Sequence, residues 1–196
     1  MTKPFEIIIS DGQKGLQLNR IAQALESIPK GYEKAVSRAM NRAALAGRSA
    51  AVATIREDYT LKASTIRRHF SIERASVGSL EALVMVKGTM LPLVQYKTRP
   101  KTDTTGAKRR PVRVSVRKKE GLKPLGSSFV FNGRILRRLG SRSLPVQQVY
   151  GPAIPLLASN DEISSNVTKV MRDTFLKRVD HESNYVVQEF INKKRK

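Results

Sequence analysis

The sequence has no cysteine and no tryptophan, and phenylalanine and tyrosine together make up only 6% of it. Without cysteine there can be no disulfide, no thiolate zinc site and no cysteine nucleophile. Such a chain fits a reducing cytoplasm or an assembly built there. With so few aromatics, a core has to be built from alanine, valine, isoleucine and leucine, which the 40% apolar content can supply. No run of about 18 apolar residues occurs, so no membrane-spanning helix and no membrane partner are expected. The opening MTKPFEIIISDG has neither a basic start nor a long apolar stretch, so no secretory signal is expected.

Groups that carry catalysis are equally scarce. The two histidines are His69, between two arginines and a phenylalanine, and His181, in a DHE triplet. Neither HxH nor HxxxH spacing is present, and the DHE triplet reads as a solvated helix face rather than a metal site. No P-loop, GxSxG or dinucleotide-binding glycine pattern occurs, and GQKG at 12–15 is a turn. Nuclease chemistry gathers several carboxylates on metal, and the middle of this chain is poor in acids. Asp161 and Glu162 most simply favour a helix N-terminus. The expectation is a non-enzyme with no catalytic residue, no metal and no cofactor.

What is abundant is positive charge. Thirty-seven lysines and arginines face sixteen carboxylates, for a net +21 in 196 residues. Self-repulsion of this size works against a compact state and is not needed for solubility. It points to an anionic partner: nucleic acid, an acidic protein surface or anionic lipid. The excess is concentrated. Residues 97–142 hold fifteen cations against two carboxylates, Asp103 and Glu120, a net +13.

The length suits one domain or a domain with an arm. FEIIIS at 5–10, ending at Asp11-Gly12, reads as a short strand. Leu18, Ile21, Leu25 and Ile28 then recur on one helical face. Residues 31–58 carry the strongest helical period, through Tyr32, Val36, Ala39, Met40, Ala43, Ala44, Gly47, Ala50, Ala51 and Ile55. Its alanines are strong helix formers and let another helix come close. Gly47, on the same stripe, costs about 1 kcal/mol of propensity and so marks a point of closest approach. A short helix follows, with Ser64 as its cap and Ile66 and Phe70 inward.

From residue 70 the period becomes two. SIERA, EALVMVKG, PLVQYK, VRVSVRK, SSFVFNGRIL and VQQVY predict a central antiparallel sheet of about four to six strands. Asn132-Gly133 is a two-residue hairpin signal. After GPAIPLLASNDE the helical period returns at Ile163, Val167, Val170, Met171, Phe175, Val179, Val186 and Phe190, to about residue 191. The fold class is α+β: N-terminal helices including a long alanine-rich one, a central antiparallel sheet with an extended basic hairpin, and a long C-terminal helix. The domain reading is a strand and helix over 1–30, a single domain over 31–192 with the hairpin at 97–123, and a basic tail at 193–196.

Within the hairpin, KTRPKTDTTGAKRR is a polar loop, and PVRVSVRKK sets Val112, Val114 and Val116 on one strand face and Arg113, Ser115 and Arg117 on the other. The valines can dock on the core or on a neighbouring subunit while the arginines point outward. Lys97, Arg99, Lys101, Lys108, Arg109, Arg110, Arg113, Arg117, Lys118, Lys119, Arg134, Arg137 and Arg138 are the candidate contacts to DNA or to an acidic partner. No aromatic comb suited to stacking single strands accompanies them. Contact with DNA would therefore be to the backbone, salt-sensitive and blind to sequence. Pro152, Ile154 and Pro155 in GPAIP either fix a turn into the last helix or form a wedge at a subunit interface.

Three stretches in order carry a resemblance. They are AMNRAALAGRSAAVATIREDYTLKASTIRRHF at 39–70, LVMVKGTMLPLVQY followed by the basic hairpin, and GPAIPLLASNDEI leading to VMRDTFLKRVDHESNYVV. Together, over roughly residues 35–190, the chain resembles the minor tail protein Z family of tailed bacteriophages. The resemblance implies a structural virion protein at the head-proximal end of the tail. It further implies a role in tail completion and head–tail joining, as a homo-oligomeric ring, a hexamer, around the DNA channel. Terminator, stopper or tube proteins and the genome backbone would be its neighbours, after assembly in the bacterial cytoplasm. Six copies at +13 would place about +78 on one annulus. The alternative is a free, sequence-nonspecific DNA-binding protein of packaging or nucleoid type; basicity and size alone would also fit a ribosome-associated protein.

Overall fold

The computed structural model describes residues 5–10, 16–103 and 111–195. The turn expected at Asp11-Gly12 and GQKG, and residues 104–110 of the basic loop, lie outside them. The elements are β1 Phe5–Ser10, α1 Leu16–Ala24, α2 Gly31–Asp58, α3 Ala63–Arg67, β2 Phe70–Glu73, β3 Glu81–Val86, β4 Met90–Pro92, β5 Lys97–Arg99, β6 Arg113–Ser115, β7 Lys123–Pro124, β8 Ser128–Phe131, β9 Arg134–Arg138, β10 Val146–Gln148, β11 Tyr150–Ala153, α4 Ile154–Ala158 and α5 Asp161–Lys194. The fold is α+β, as expected. The chain forms two compact units. A helical unit comprises residues 4–51, 70–86 and 161–196, and a strand-rich unit comprises 52–69 and 87–160.

In the helical unit, Leu18, Ile21, Leu25 and Ile28 are all buried, the face their spacing predicted. On α2, Ala35, Val36, Ala39, Met40, Ala43 and Ala44 have no exposed surface. Alanine and glycine give this helix a flat side, and α5 runs antiparallel across it. Gly47 faces Met171 and Val167, while Arg38 reaches Glu189 at 3.6 Å and the Tyr185 ring at 5.2 Å. A Cβ on Gly47 would overlap Cγ and Sδ of Met171. Gly47 therefore marks a close approach, as its position on the stripe implied.

The buried positions of α5 are Ile163, Val167, Met171, Phe175, Val179, Ser183 and Val186. They recur mostly every fourth residue. In a helix of 3.6 residues per turn each such step moves the stripe about 40° around the axis. The apolar face of α5 therefore winds, and the helix meets different neighbours along its length. Asp161 and Glu162 occupy its first turn, where a helix dipole favours carboxylates. It continues to Lys194, past the end near residue 191 that the apolar period marked.

The unit's sheet has the order β1-β3-β2, antiparallel throughout. Flanked on both sides, β3 buries Ala82, Val84, Met85 and Val86. Beyond β2, the Asn41 side chain of α2 donates to the Ala75 carbonyl and accepts the Ala75 N–H, both at 2.9 Å. One amide thus stands in for a β-partner.

In the strand-rich unit, the strands form a β10-β9-β8 sheet, a β5-β6-β7 sheet and a β11-β4 pair. Together with the sheet of the helical unit these are several small antiparallel sheets where one of four to six strands was expected. Proline explains much of the fragmentation. It cannot donate to a ladder; Pro92, Pro100, Pro111, Pro124 and Pro145 end or border these strands, and Pro152 sits at the register shift inside β11. Within PLVQYK, Leu93–Gln95 is a 3-10 turn rather than strand. The β8–β9 hairpin turns at Asn132 and Gly133, with φ of 46° and 67°. This is the left-handed pair that Asn-Gly supplies. Ser64 does not cap α3: the helix begins at Ala63 after Lys62, with no side-chain cap, and places Ser64 inside its first turn. Ile66 is buried as expected, and Phe70 is buried on β2 rather than on a helix.

Candidate anion-binding site

The basic segment is anchored before it is charged. β5 and β6 pair antiparallel, Lys97 opposite Ser115 and Arg99 opposite Arg113. At the end of this ladder the Thr60 hydroxyl is inserted between the strands. It accepts the Lys97 N–H at 3.0 Å and donates to the Ser115 carbonyl at 2.5 Å. The Thr60 N–H donates to the Val116 carbonyl at 3.0 Å, and Tyr59 bridges Arg117. The segment after α2 thereby holds both strands of the hairpin at its base. Replacing Thr60 by valine keeps the shape and removes the relay. We expect a loss of about 1–2 kcal/mol of stability, with faster hydrogen exchange at the Lys97 amide. Unchanged exchange at that amide would remove Thr60 from this role.

The far end is anchored too. The Asp103 carboxylate accepts the N–H of Asn132 at 2.8 Å and of Gly133 at 3.5 Å. This acid therefore caps the β8–β9 turn. The segment's other acid, Glu120, lies 2.8 Å from Lys123 Nζ, which holds its carboxyl below the usual range.

Of the thirteen candidate cations, Lys108, Arg109 and Arg110 lie outside the described residues. Two are engaged within the unit. Arg117 lies over the Tyr59 ring at 5.7 Å, and hydrogen bonding to Tyr59 raises its pKa further. Arg138 lies over Phe129 at 5.3 Å. The other eight, Lys97, Arg99, Lys101, Arg113, Lys118, Lys119, Arg134 and Arg137, are exposed. Among the described residues no carboxylate pairs with any of them.

The apolar face of the hairpin is closed within the chain. Val112 is fully buried, Val114 is buried and Val116 is half-buried. Ser115, expected to face outward with the arginines, is 3% exposed and donates to the Arg117 carbonyl at 3.0 Å. The strand bends where Thr60 enters, and strict alternation stops there. In GPAIP, Ile154 and Pro155 are buried in α4 and Pro152 is half-buried, its carbonyl accepting the Tyr96 hydroxyl at 2.9 Å.

A cleft of about 930 Å³ opens in this unit between residues 56–68 and 94–122. Lys97, Lys101 and Lys118 line it, and so do Arg56, Lys62 and Arg68. Sequence reasoning missed the latter three. Arg56 lies off the apolar stripe of α2 and is exposed, and the only available signal was the basic run around α3. Among the described residues, no carboxylate lines the cleft, no group of histidine and carboxylate side chains gathers as a metal site, and no helix is long and apolar enough to cross a membrane.

A family model described as Prophage minor tail protein Z (GPZ) matches residues 14–193. Comparison with curated proteins and with solved structures yields no match.

Proposed function

Because the chain belongs to the prophage minor tail protein Z family, we propose that this phage tail protein acts in tail completion and head–tail joining, as one copy of an oligomeric ring around the DNA channel. Membership of a structural tail family implies a virion component without a catalytic role. The observation that supports the finer reading is the set of eight exposed cations on the strand-rich unit, with no described carboxylate paired to them. Copies bearing such a surface repel one another unless an anion lies between or beside them. At the head-proximal end of a tail, the genome backbone and acidic faces of neighbouring proteins are the anions at hand. The rigid anchoring at Thr60 and Asp103 suits a surface that must meet a partner in one orientation.

Two measurements test this. Mass spectrometry of purified particles should find the protein in a small fixed copy number; its absence from particles would favour a free DNA-binding protein. Gel shifts over a salt series then test the backbone contact. Reversing the charge of Arg109, Arg110 and Arg113 should reduce the slope of log K against log salt by about 3, one counterion-release unit per lost phosphate contact. Arg117 is left in place because it is committed to Tyr59. An unchanged slope together with normal tail assembly would remove the hairpin from anion contact.

A further inference from the structure

We propose that the cleft of the strand-rich unit is a docking site for an acidic, extended peptide segment of a neighbouring tail protein. The tail setting comes from the function proposed above; the partner's chemistry comes from the cleft. Arg56, Lys62, Arg68, Lys97, Lys101 and Lys118 all line it, and among the described residues no carboxylate does. A concave surface of one sign focuses its field, so the occupant is an anion.

The shape and the surroundings choose among anions. Duplex DNA is stiff over about 150 base pairs and does not fold into a cleft of about 930 Å³. It would touch only the rim. Single-stranded nucleic acid binds by stacking bases on exposed aromatic faces. The two tyrosines in the lining offer none: Tyr59 is 9% exposed under Arg117, and Tyr96 is 4% exposed with its hydroxyl on the Pro152 carbonyl. A second copy of this chain carries +21 itself and is a poor electrostatic match.

An extended acidic peptide meets each condition. It is thin, it can set several carboxylates against the lining cations, and its backbone brings N–H donors. Gln95 in the lining has a buried Oε1 without a hydrogen-bond partner among the described residues. A rotation of that amide toward the cleft would let a peptide N–H satisfy it, whereas the deoxyribose–phosphate backbone of DNA offers only acceptors.

The test is fluorescence anisotropy on the full chain, using a labelled eight-residue peptide rich in aspartate and glutamate with one central leucine. Lys62→Glu combined with Arg68→Glu should weaken binding by about tenfold or more. Arg172→Glu combined with Lys177→Glu makes the same charge change on exposed residues outside the lining, and should alter binding by less than about threefold. All four side chains are exposed, and matching circular dichroism melts will show that the variants fold. Equal losses in the two pairs would mean unlocalised attraction and overturn the proposal, as would no binding by the wild type. Displacement of the peptide by a short DNA duplex, with the duplex itself sensitive to the cleft pair, would make the cleft a nucleic-acid site instead. Particle mass spectrometry reports on the tail role separately, so the two readings fail independently.

Discussion

Replacing Gly47 by leucine should lower the unfolding free energy by about 3 kcal/mol, measured by urea denaturation followed by circular dichroism. Glycine in a helix interior gives up about 1 kcal/mol relative to alanine, so its presence in an alanine-rich stretch needs a steric cause. Met171 is that cause. It is 1% exposed, and its Cγ and Sδ occupy the space a Cβ would need, with Val167 Cγ1 at 3.5 Å behind them. A leucine there drives the methionine off its rotamer or pushes α5 away from α2. The decisive measurement is the double variant. Met171→Ala alone opens a cavity and should cost about 2–4 kcal/mol. Combined with Gly47→Leu it creates the room the leucine needs, so the two costs should fall short of additivity by about 2 kcal/mol. Simple additivity would mean that the two residues do not share this space.

The second large effect concerns Asn41. Its amide satisfies both the N–H and the carbonyl of Ala75, which is 6% exposed. Leucine at position 41 would leave two shielded backbone groups unpaired, at about 1–3 kcal/mol each. We expect Asn41→Leu to cost about 3 kcal/mol in urea denaturation. Asn41→Asp separates the two bonds. The introduced carboxylate can still accept the N–H, but it sets a negative oxygen against the Ala75 carbonyl. Protonation turns that oxygen into a donor and restores both bonds. The folded state therefore raises the carboxyl's pKa above the ordinary value of about 3.9. The recovered stability is present in full below the unfolded value and is lost as pH rises through the folded one. The gap between this variant and the wild type should narrow on acidification from pH 7 toward 5. A gap that stays constant or widens would show that Asn41 does not donate to Ala75.

The ion pairs on the surface carry no comparable weight. Arg38–Glu189, Lys123–Glu120 and Lys193–Glu189 all join exposed side chains, where screening leaves a median of about 0–1 kcal/mol. The Arg38 guanidinium has more in its favour because it also covers Tyr185. The molecule's stability rests on buried apolar stripes and on a few side-chain-to-backbone clamps, while among the described residues eight exposed cations of the strand-rich unit pair with no carboxylate.

Much of this was written locally in the chain. The burial of Leu18, Ile21, Leu25 and Ile28, the stripe of α2, the presence of a long helix at α5, the turn at Asn132-Gly133 and the concentration of charge over 97–142 all follow from rules that act over a few residues: the helical period, left-handed turn chemistry, and counting charges. The tertiary structure decided what those rules do not reach. The Thr60 relay joins residues 37 and 55 positions apart, and the Asn41 clamp spans 34. The cleft collects Arg56, Lys62 and Arg68 beside Lys97, Lys101 and Lys118, cations that no periodicity links. Local periodicity sets which side of an element is apolar. Which distant polar groups meet depends on how those elements stack and on where proline interrupts the strands, and a short window of sequence holds no record of that.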